Sequence, residues 1–340
     1  QRRAVGDCIA DMKRGIMMNR LIQGDVGSGK TAVAAAVCYT AIKNGMQAAL
    51  MAPTEILAEQ HFTSFVKMLS STDVRVALLT GSTTAKARSE LLSRLAYGDI
   101  DLLIGTHALI QDDVVFDKLG LVITDEQHRF GVNQRARLSA KGHDPHMLVM
   151  SATPIPRTLA LMIYGDLDIS VLDELPPGRQ PIETYVIQSR LHERAYGYIR
   201  KHLDEGRQGY IVCPLVADDD GTDTGDMIAA EEYAQRLQNG PFAGYSVGLL
   251  HGKMKAAQKE QVMHRFAAGQ IQLLVSTTVV EVGVDVPNAV IMMIENADRF
   301  GLSQLHQLRG RVGRGKHKST CILVSDAQNE EAVTRLNVIK

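Results

Sequence analysis

One short stretch constrains the fold of this chain more than any other feature of its sequence. Residues Leu21–Thr31 read LIQGDVGSGKT and fill the pattern G-x-x-x-x-G-K-[ST]. An apolar strand over Arg20–Gln23 leads into this glycine-rich loop, and an alanine-rich helix over Thr31–Lys43 follows it. Glycines let backbone N–H groups curl around a phosphate at close range, and the helix adds the positive end of its dipole. The stretch therefore predicts a strand–loop–helix unit that binds phosphate.

Two side chains at the end of this loop have defined roles in such a unit. The ammonium group of Lys30 is expected to reach the β and γ phosphates of a nucleotide, and the Thr31 hydroxyl is expected to ligate Mg²⁺. An ordinary strand–turn–helix is the alternative, because the pattern also occurs by chance. The predicted nucleotide-binding residues of the loop are Gly24, Asp25, Val26, Gly27, Ser28, Gly29, Lys30 and Thr31.

The length and composition fit two globular domains. The chain has 340 residues, too many for one ordinary core, and 45% of them are hydrophobic. The formal net charge is −1, so a nucleic-acid partner would have to be held by a local groove rather than by overall charge. The four cysteines form no C-x-x-C pair and are predicted to be buried thiols of a reducing cytosol. No apolar run approaches the roughly 18 residues of a membrane span.

Strand and helix patterns alternate along most of the chain. Near-continuous apolar segments such as Leu119–Asp125 and Ile182–Ile187 are separated by helical patterns, which is typical of parallel sheets covered on both faces. Residues 173–181 read DELPPGRQP, and their three prolines and one glycine fit neither a helix nor a sheet interior. The sequence therefore predicts two tandem α/β domains with doubly wound parallel sheets, over residues 1–175 and 176–340, joined by a short connector.

Two adjacent carboxylates follow one of the predicted strands. Asp125 and Glu126 lie at its carboxyl end, where doubly wound sheets bind their ligands. Asp125 is predicted to ligate Mg²⁺, and Glu126 is predicted to polarise the attacking water as a general base. A plain polar strand end is the alternative, which the predicted position of Lys30 and Thr31 on a neighbouring strand makes weaker.

A basic constellation lies near the end of the chain. Residues 304–314 read QLHQLRGRVGR and interleave Arg309, Arg311 and Arg314 with glycines on a predicted helix and its end. Guanidinium groups suit a phosphoryl-transfer transition state, where an arginine finger stabilises the developing charge. A basic surface patch is the alternative, but it does not explain why the arginines alternate with glycines rather than with other charges.

Taken in order, these segments resemble the motif set of the superfamily 2 helicases and translocases over nearly the whole chain. The resemblance implies two RecA-like domains that form an ATP-driven motor on nucleic acid. The matching segments are residues 24–31 (motif I), 52–55 (motif Ia), 105–107 (motif Ib), 125–128 (motif II), 151–153 (motif III), 276–285 (motif V) and 307–314 (motif VI).

Four longer stretches resemble one family within that group. The sequences DEQHRFGV (125–132), SATPIPRT (151–158), DELPPGR (173–179) and RFGLSQLHQ (299–307) are similar to RecG, the bacterial branch-migration helicase family. The transcription-repair coupling factor shares HRFGV and TPIPRT but differs around DEQH and DELPPGR, so RecG is favoured. The resemblance implies an ATP-dependent 3′-to-5′ DNA helicase that acts on double-stranded and branched DNA, at stalled forks and Holliday junctions, in recombination and repair.

The resemblance also implies roles for residues at matching positions. The positions facing ATP are Gln1 (adenine), Gly283 and Asp285 (ribose and fingers), and Gln307, Arg311 and Arg314 (γ-phosphate). The positions facing the DNA backbone are Thr54, Thr106, His107, His251, Gly252, Lys253 and Thr277. The positions that couple the two sites are His128, Ser151 and Thr153. Hydroxyl and amide groups bind phosphate oxygens without reading bases, so a motor with such contacts can step along any sequence.

Members of the RecG family carry an N-terminal wedge domain that splits the fork and a hairpin motif after the motor, and this sequence shows neither. The chain is therefore expected to be the motor core and to unwind forks poorly without the wedge domain. It is also expected to be a monomer of the bacterial cytoplasm.

Three other classes of protein remain as alternatives. A nucleotide switch would carry Asn-Lys-x-Asp and a transporter ATPase Leu-Ser-Gly-Gly-Gln, and the sequence contains neither. An RNA helicase with the same core is separated only by the family resemblance. A non-catalytic nucleic-acid clamp is disfavoured by the presence of Lys30, Asp125, Glu126 and Arg314.

Overall fold

Two parallel β-sheets, one in each half of the chain, organise the fold. The computed structural model describes residues 1–25, 27–125, 132–151, 167–173, 181–214, 225–277, 286–313 and 315–339. The chain divides into two compact units, Gln1–Pro176 and Pro177–Lys340, called here the first and second unit. The division falls inside the proline-rich segment, most of which lies outside the described residues.

The first unit is built on a seven-stranded sheet in which every pairing is parallel. Its strands are β1 Asn19–Gly24, β2 Gln47–Met51, β3 Val76–Leu79, β4 Leu102–Gly105, β5 Leu119–Asp125, β6 His146–Ser151 and β7 Asp168–Leu172. Its helices are α1 Arg2–Lys13, α2 Lys30–Lys43, α3 Glu55–Met68, α4 Ala85–Ala96 and α5 Val132–Ser139. The strand order β3-β4-β2-β5-β6-β1-β7 puts the end of β1 next to the end of β6.

Helices cover both faces of this sheet because successive strand residues point to opposite sides. In β2, Ala48 and Leu50 pack in a core with side chains of α1, α2 and α3. Ala49 and Met51 pack in a second core with Leu95 of α4 and Leu138 of α5. Such burial on both faces explains why the central strands read as continuous apolar runs.

The second unit has a six-stranded sheet, again parallel throughout, with the order β10-β11-β9-β12-β13-β8. Its strands are β8 Ile182–Ile187, β9 Gln208–Val212, β10 Val247–Leu250, β11 Leu273–Ser276, β12 Ala289–Ile294 and β13 Ser319–Val324. Its helices are α6 His192–Asp204, α7 Gly225–Asn239, α8 Ala256–Ala267, α9 Leu302–Arg309 and α10 Glu330–Ile339. On one face Ile211 packs with α6 and α7, and on the other Tyr210 contacts Phe266 of α8 at 4.9 Å between ring centroids.

These sheets confirm the predicted class of two RecA-like, doubly wound α/β domains. Several strands, among them β5 and β8, have the predicted bounds. Helix α2 begins at Lys30, one residue before the predicted start. Helices α1 and α5 were not predicted, and a helix predicted over 158–164 lies outside the described residues.

All four cysteines are free thiols, and three of them are buried as predicted. Cys8, Cys38 and Cys321 are buried and Cys213 is partly exposed. Burial raises the pKa of Cys8 and of Cys321 to about 12, because a thiolate is poorly solvated inside the protein. Among the described helices, none has the length and apolar composition that crossing a membrane requires.

Candidate functional site

The glycine-rich loop joins β1 to α2 in the first unit, and Lys30 folds back over it. Its Nζ donates hydrogen bonds to the carbonyl oxygens of Gly24, at 2.7 Å, and Asp25, at 3.0 Å. The backbone N–H of Ser28 donates to the Asp25 carbonyl at 3.1 Å and closes a tight turn. Lys30 is therefore held above the loop, where a phosphate-binding ammonium group has to be. Val26 lies outside the described residues.

Two glycines of the loop cannot be replaced without strain. One has a left-handed backbone conformation, and the other has no space for a Cβ atom. Gly29, which precedes α2, has φ of +93°, a left-handed conformation that other residues adopt only with strain. A Cβ on Gly24 would lie 2.7 Å from Ser28 Oγ and 2.8 Å from the Cβ of Leu172 at the end of β7. The glycines predicted from the sequence are thus required by the shape of this loop.

Ser28 connects the loop to the start of the chain. The side-chain amide of Gln1 donates to the Ser28 carbonyl at 2.9 Å, so α1 begins against the loop. The Ser28 hydroxyl is buried and has no hydrogen-bond partner within the described part of the chain. A buried polar atom with no partner is costly, and a bound phosphate oxygen would satisfy it.

The ends of three neighbouring strands bring the predicted nucleotide residues together. In the sheet, β5, β6 and β1 are adjacent, and their carboxyl ends carry Asp125, Ser151 and Gly24. Asp125 pairs with Met150 on β6, and Ser151 pairs with Gln23 on β1. Glu126, His128 and Thr153 lie outside the described residues.

Asp125 has a partner that the sequence reasoning missed. His61 of α3 places Nε2 2.7 Å from Asp125 Oδ2, and the two residues are 7% and 9% exposed. The sequence did indicate that His61 faces the core, because Leu57, His61 and Phe65 are spaced four residues apart on one side of a helix. The structure shows all three residues buried. A histidine on an apolar helix stripe needs an interior partner, and that partner is the motif II aspartate.

The donors near the loop fit a hard cation. Asp125 offers a buried carboxylate, and Thr31, in the first turn of α2, offers a hydroxyl. No group of three or more His, Cys, Asp or Glu side chains among the described residues is arranged to hold a metal. Mg²⁺ does not need one, because it commonly uses one or two protein oxygens with water and substrate phosphates.

The candidate nucleic-acid residues of the first unit follow the next two strands along the same edge. Thr54 comes after β2 and caps α3, its hydroxyl accepting from the Leu57 N–H at 3.4 Å. Thr106 comes after β4 and is 2% exposed, and its hydroxyl lacks a partner in the described structure. His107 begins a short 3₁₀ helix and is exposed. The edge therefore carries Thr106, Thr54 and Asp125 on successive strands.

The second unit repeats this arrangement on β10 and β11. His251 follows β10, and Thr277 follows β11, with the Thr277 N–H donating to the Leu250 carbonyl at 3.2 Å. Gly252 and Lys253 are exposed, whereas Thr277 is 2% exposed. The Thr277 hydroxyl and His251 Nδ1 are buried without partners among the described residues. Each unit thus places, at the carboxyl edge of its sheet, a threonine hydroxyl that finds no partner in the described part of the chain.

The arginine-rich segment spans the end of α9 and the turn after it. Gln307 lies on α9, and Arg311 follows that helix; both are partly buried. Arg309 has a structural partner, because its Nη1 donates to the Ile339 carbonyl of α10 at 2.5 Å. The contact of Arg309 is therefore a structural one, which joins the end of α9 to α10. Arg314, Gly283 and Asp285 lie outside the described residues.

A polar network in the second unit was not predicted either. Glu295, at the end of β12, is hydrogen-bonded to His192 Nε2 at 2.9 Å and accepts from the Tyr233 hydroxyl at 2.6 Å. Burial and the adjacent carboxylate raise the pKa of Tyr233, so its hydroxyl stays protonated. These side chains line a cavity of about 630 Å³ together with Arg236 and Cys213. The network fastens α6 and α7 to the end of β12.

Comparison with protein families gives one match in each of the two units. Residues 1–162 match the profile of the DEAD/DEAH box helicase family. Residues 194–316 match the profile of the helicase conserved C-terminal domain. The phosphate loop and Asp125 lie in the first match, and Thr277, Gln307 and Arg311 lie in the second.

Curated relatives and a solved structure narrow the family. The chain is 56% identical over 339 residues to the ATP-dependent DNA helicase RecG of Bacillus subtilis, covering 100% of this chain and 49% of that protein. It is 52% identical over 340 residues to RecG of Synechocystis, covering 100% of this chain and 41% of that protein. A structure of RecG bound to a three-way DNA junction matches 99% of this chain and 44% of that chain, with a TM-score of 0.87 and 46% identity.

The chain thus spans about half the length of the curated relatives it matches. The matches run through both units and include the phosphate loop, the motif II aspartate and the arginine-rich segment. The whole chain is therefore similar to the motor core of RecG, and the curated relatives that it matches are named ATP-dependent DNA helicases.

Proposed function

We propose that this chain is the ATP-driven motor of a helicase that acts on double-stranded and branched DNA, including stalled forks and Holliday junctions. The similarity to a RecG structure bound to a three-way junction supports the branched substrate. We further propose 3′-to-5′ polarity and a role in recombination and repair. The observation that carries the proposal is that Lys30 lies over the Gly24 and Asp25 carbonyls at the end of β1, at the same sheet edge as the buried Asp125, with β6 between the two strands.

The first unit holds the nucleotide in this proposal. The backbone of residues 24–29 surrounds the phosphates, and the Ser28 hydroxyl, which has no hydrogen-bond partner among the described residues, bonds to a phosphate oxygen. Lys30 turns from the loop carbonyls to the β and γ phosphates. Gln1 reads the adenine, as its position against Ser28 allows. Asp125 and Thr31 would hold Mg²⁺, which when bound would neutralise charge on the phosphate oxygens.

Hydrolysis requires a base and charge stabilisation. Glu126 polarises the attacking water, and Gln307, Arg311 and Arg314 of the second unit stabilise charge on the γ-phosphate. Gly283 and Asp285 contact the ribose and the arginines. These roles follow from matching positions in the family and are supported by the partial burial of Gln307 and Arg311.

DNA is held through its backbone in both units. The hydroxyls of Thr106 and Thr277 have no hydrogen-bond partner among the residues that the structure describes, so they are suited to phosphate oxygens. Further contacts come from residues around these two threonines. They are Thr54, His107, His251, Gly252 and Lys253.

The nucleotide and DNA contacts share one sheet edge in the first unit, and this arrangement supports coupling between them. Ser151, at the end of β6, lies between the strand ends that carry Asp125 and Gly24. We assign the coupling role to Ser151, Thr153 and His128. Closure on ATP and release after hydrolysis would change the two DNA contacts in turn.

The cellular setting is part of the proposal. RecG relatives in Bacillus and Synechocystis support a protein of the bacterial cytoplasm. We propose that the motor acts as a monomer, and that a wedge domain of the full-length protein converts translocation into fork opening. The 340-residue chain should then hydrolyse ATP but unwind forks poorly.

ATP hydrolysis by the 340-residue chain tests the motor function. Forked DNA, linear duplex, single-stranded DNA and structured RNA are compared as activators, and we expect the largest stimulation with forked or duplex DNA. Lys30→Ala should abolish nucleotide binding, and Glu126→Gln should bind nucleotide but stop turnover. Lys43→Ala is the matched control, because Lys43 lies at the other end of α2 and pairs with Asp73 at the surface.

Two results would contradict the proposal. Stimulation by structured RNA above that by any DNA would favour an RNA helicase. Normal turnover by Lys30→Ala would show that the glycine-rich loop is not the nucleotide site.

A further inference from the structure

His61 is a buried histidine whose ring reaches the proposed metal ligand. The distance between His61 Nε2 and Asp125 Oδ2 is 2.7 Å. An ionised carboxylate can only accept hydrogen bonds, so the ring nitrogen carries the hydrogen and donates it. The bond crosses from α3 to the end of β5 and links two residues that are 64 positions apart in sequence.

The ring is itself held in place by its surroundings. His61 lies in the middle of α3 and is 7% exposed, within a stripe that includes Leu57 and Phe65. The rings of His61 and Phe65 meet edge-on, with 6.5 Å between centroids and 72° between planes. A buried ring with such neighbours has few alternative rotamers, so the position of Nε2 is fixed by the core.

We propose that His61 is a positioning residue for the metal: its hydrogen bond orients the Asp125 carboxylate so that Mg²⁺ is bound together with the nucleotide. This inference rests on the proposed metal role of Asp125. A carboxylate that is already oriented loses less freedom when it binds a cation, and hydrogen bonds to ligating carboxylates typically change metal affinity about 10- to 100-fold. His61 touches neither the nucleotide nor the metal in this scheme and acts through Asp125.

The test compares two substitutions that differ in the donor. His61→Leu places an apolar side chain in the helix stripe and removes the hydrogen bond. His61→Gln places an amide N–H at about the reach of Nε2 and can restore it. The affinity of the 340-residue chain for the nonhydrolysable analogue AMP-PNP is measured by calorimetry, once with saturating Mg²⁺ and once in EDTA. The ratio of the two affinities reports the contribution of the metal without any turnover.

We expect His61→Leu to lower this ratio by about tenfold while leaving the affinity in EDTA unchanged. His61→Gln should recover most of the ratio. Ile56→Ala is the matched control, because Ile56 is a buried residue of the same helix that lies off the stripe of Leu57, His61 and Phe65. It should lower the melting temperature and leave the ratio unchanged.

Asp125→Asn separates the two ways in which the inference can fail. If Asp125→Asn lowers the ratio and His61→Leu does not, the positioning role is refuted and the proposed metal site stands. If Asp125→Asn leaves the ratio unchanged, the metal role of Asp125 is refuted and the role of His61 with it. An equal loss in His61→Leu and Ile56→Ala would show that packing alone matters, which also refutes the proposal.

Discussion

Gly24 is constrained by three structural elements. It ends β1, begins the phosphate loop and packs against the end of β7. The Leu172 carbonyl oxygen would lie 3.0 Å from an added Cβ, and backbone atoms cannot move aside as a flexible side chain can. The loop conformation therefore depends on contacts with a strand that is distant in sequence.

Gly24→Ala should weaken nucleotide binding without unfolding the chain. Overpacking of this kind costs about 1–3 kcal/mol, which corresponds to roughly 5- to 150-fold in affinity if the loop absorbs the shift. Gly6→Ala is the control, because a Cβ at Gly6 meets no atom within 4 Å and its helical position favours alanine. Calorimetric titration with ADP and thermal melting would check both. Unchanged ADP affinity in Gly24→Ala would contradict the expected loop shift.

Helix α1 packs Ala4 and Cys8 into the core of the first unit and is also held by a buried charged contact. Its buried residues are Ala4, Cys8 and Asp11. Arg20 of β1 donates from Nε to Asp11 Oδ2 at 2.6 Å and from Nη1 to Ser170 Oγ at 2.8 Å. Burial lowers the pKa of Arg20, but the hydrogen bond and charge of Asp11 outweigh it, so the pKa is raised. The contact sets the position of α1 and thereby of Gln1.

Arg20→Met should destabilise the first unit by about 3 kcal/mol, because it leaves the Asp11 carboxylate buried without its main partner. Arg14→Met is the matched control. Arg14 contacts the other oxygen of Asp11 at 3.1 Å, but its side chain is 60% exposed, so we expect a loss below about 1 kcal/mol. Urea unfolding of both variants measures the difference. Equal losses would show that burial of the pair is not what holds α1.

Whether an element could be predicted from the sequence depended on whether its buried side chains are apolar. β5 was placed with its observed bounds because its residues 119–123 form an apolar run followed by a polar end. Helix α1 was missed because its inward face carries an aspartate, whose arginine partner lies on another element. The same limit applies at the site: Asp125 was predicted from its strand end, whereas its contact with His61 depends on the packing of α3 against the sheet. Contacts between distant polar residues leave no local periodicity.

The two units share one arrangement of candidate residues. In the first, Thr106 and Thr54 follow β4 and β2, and the nucleotide residues follow β5, β6 and β1. In the second, the candidate DNA residues follow β10 and β11, and the arginine-rich segment lies between β12 and β13. Each sheet therefore has one group of strand ends with candidate DNA contacts and another with candidate nucleotide contacts.

The proposed ATP hydrolysis depends on residues of both units. Arg311 and Arg309 provide a matched pair of substitutions that tests the contribution of the second unit. Arg311→Met should spare nucleotide binding and slow hydrolysis by about a thousandfold or more, as loss of an arginine finger does. Arg309→Met removes a charged hydrogen bond to the Ile339 carbonyl, so it should lower stability by about 1.5–3 kcal/mol and leave turnover per folded molecule unchanged. AMP-PNP binding, steady-state hydrolysis and thermal melting are measured on both variants. Normal turnover by Arg311→Met would assign hydrolysis to the first unit alone, because the phosphate loop and Asp125 both lie there.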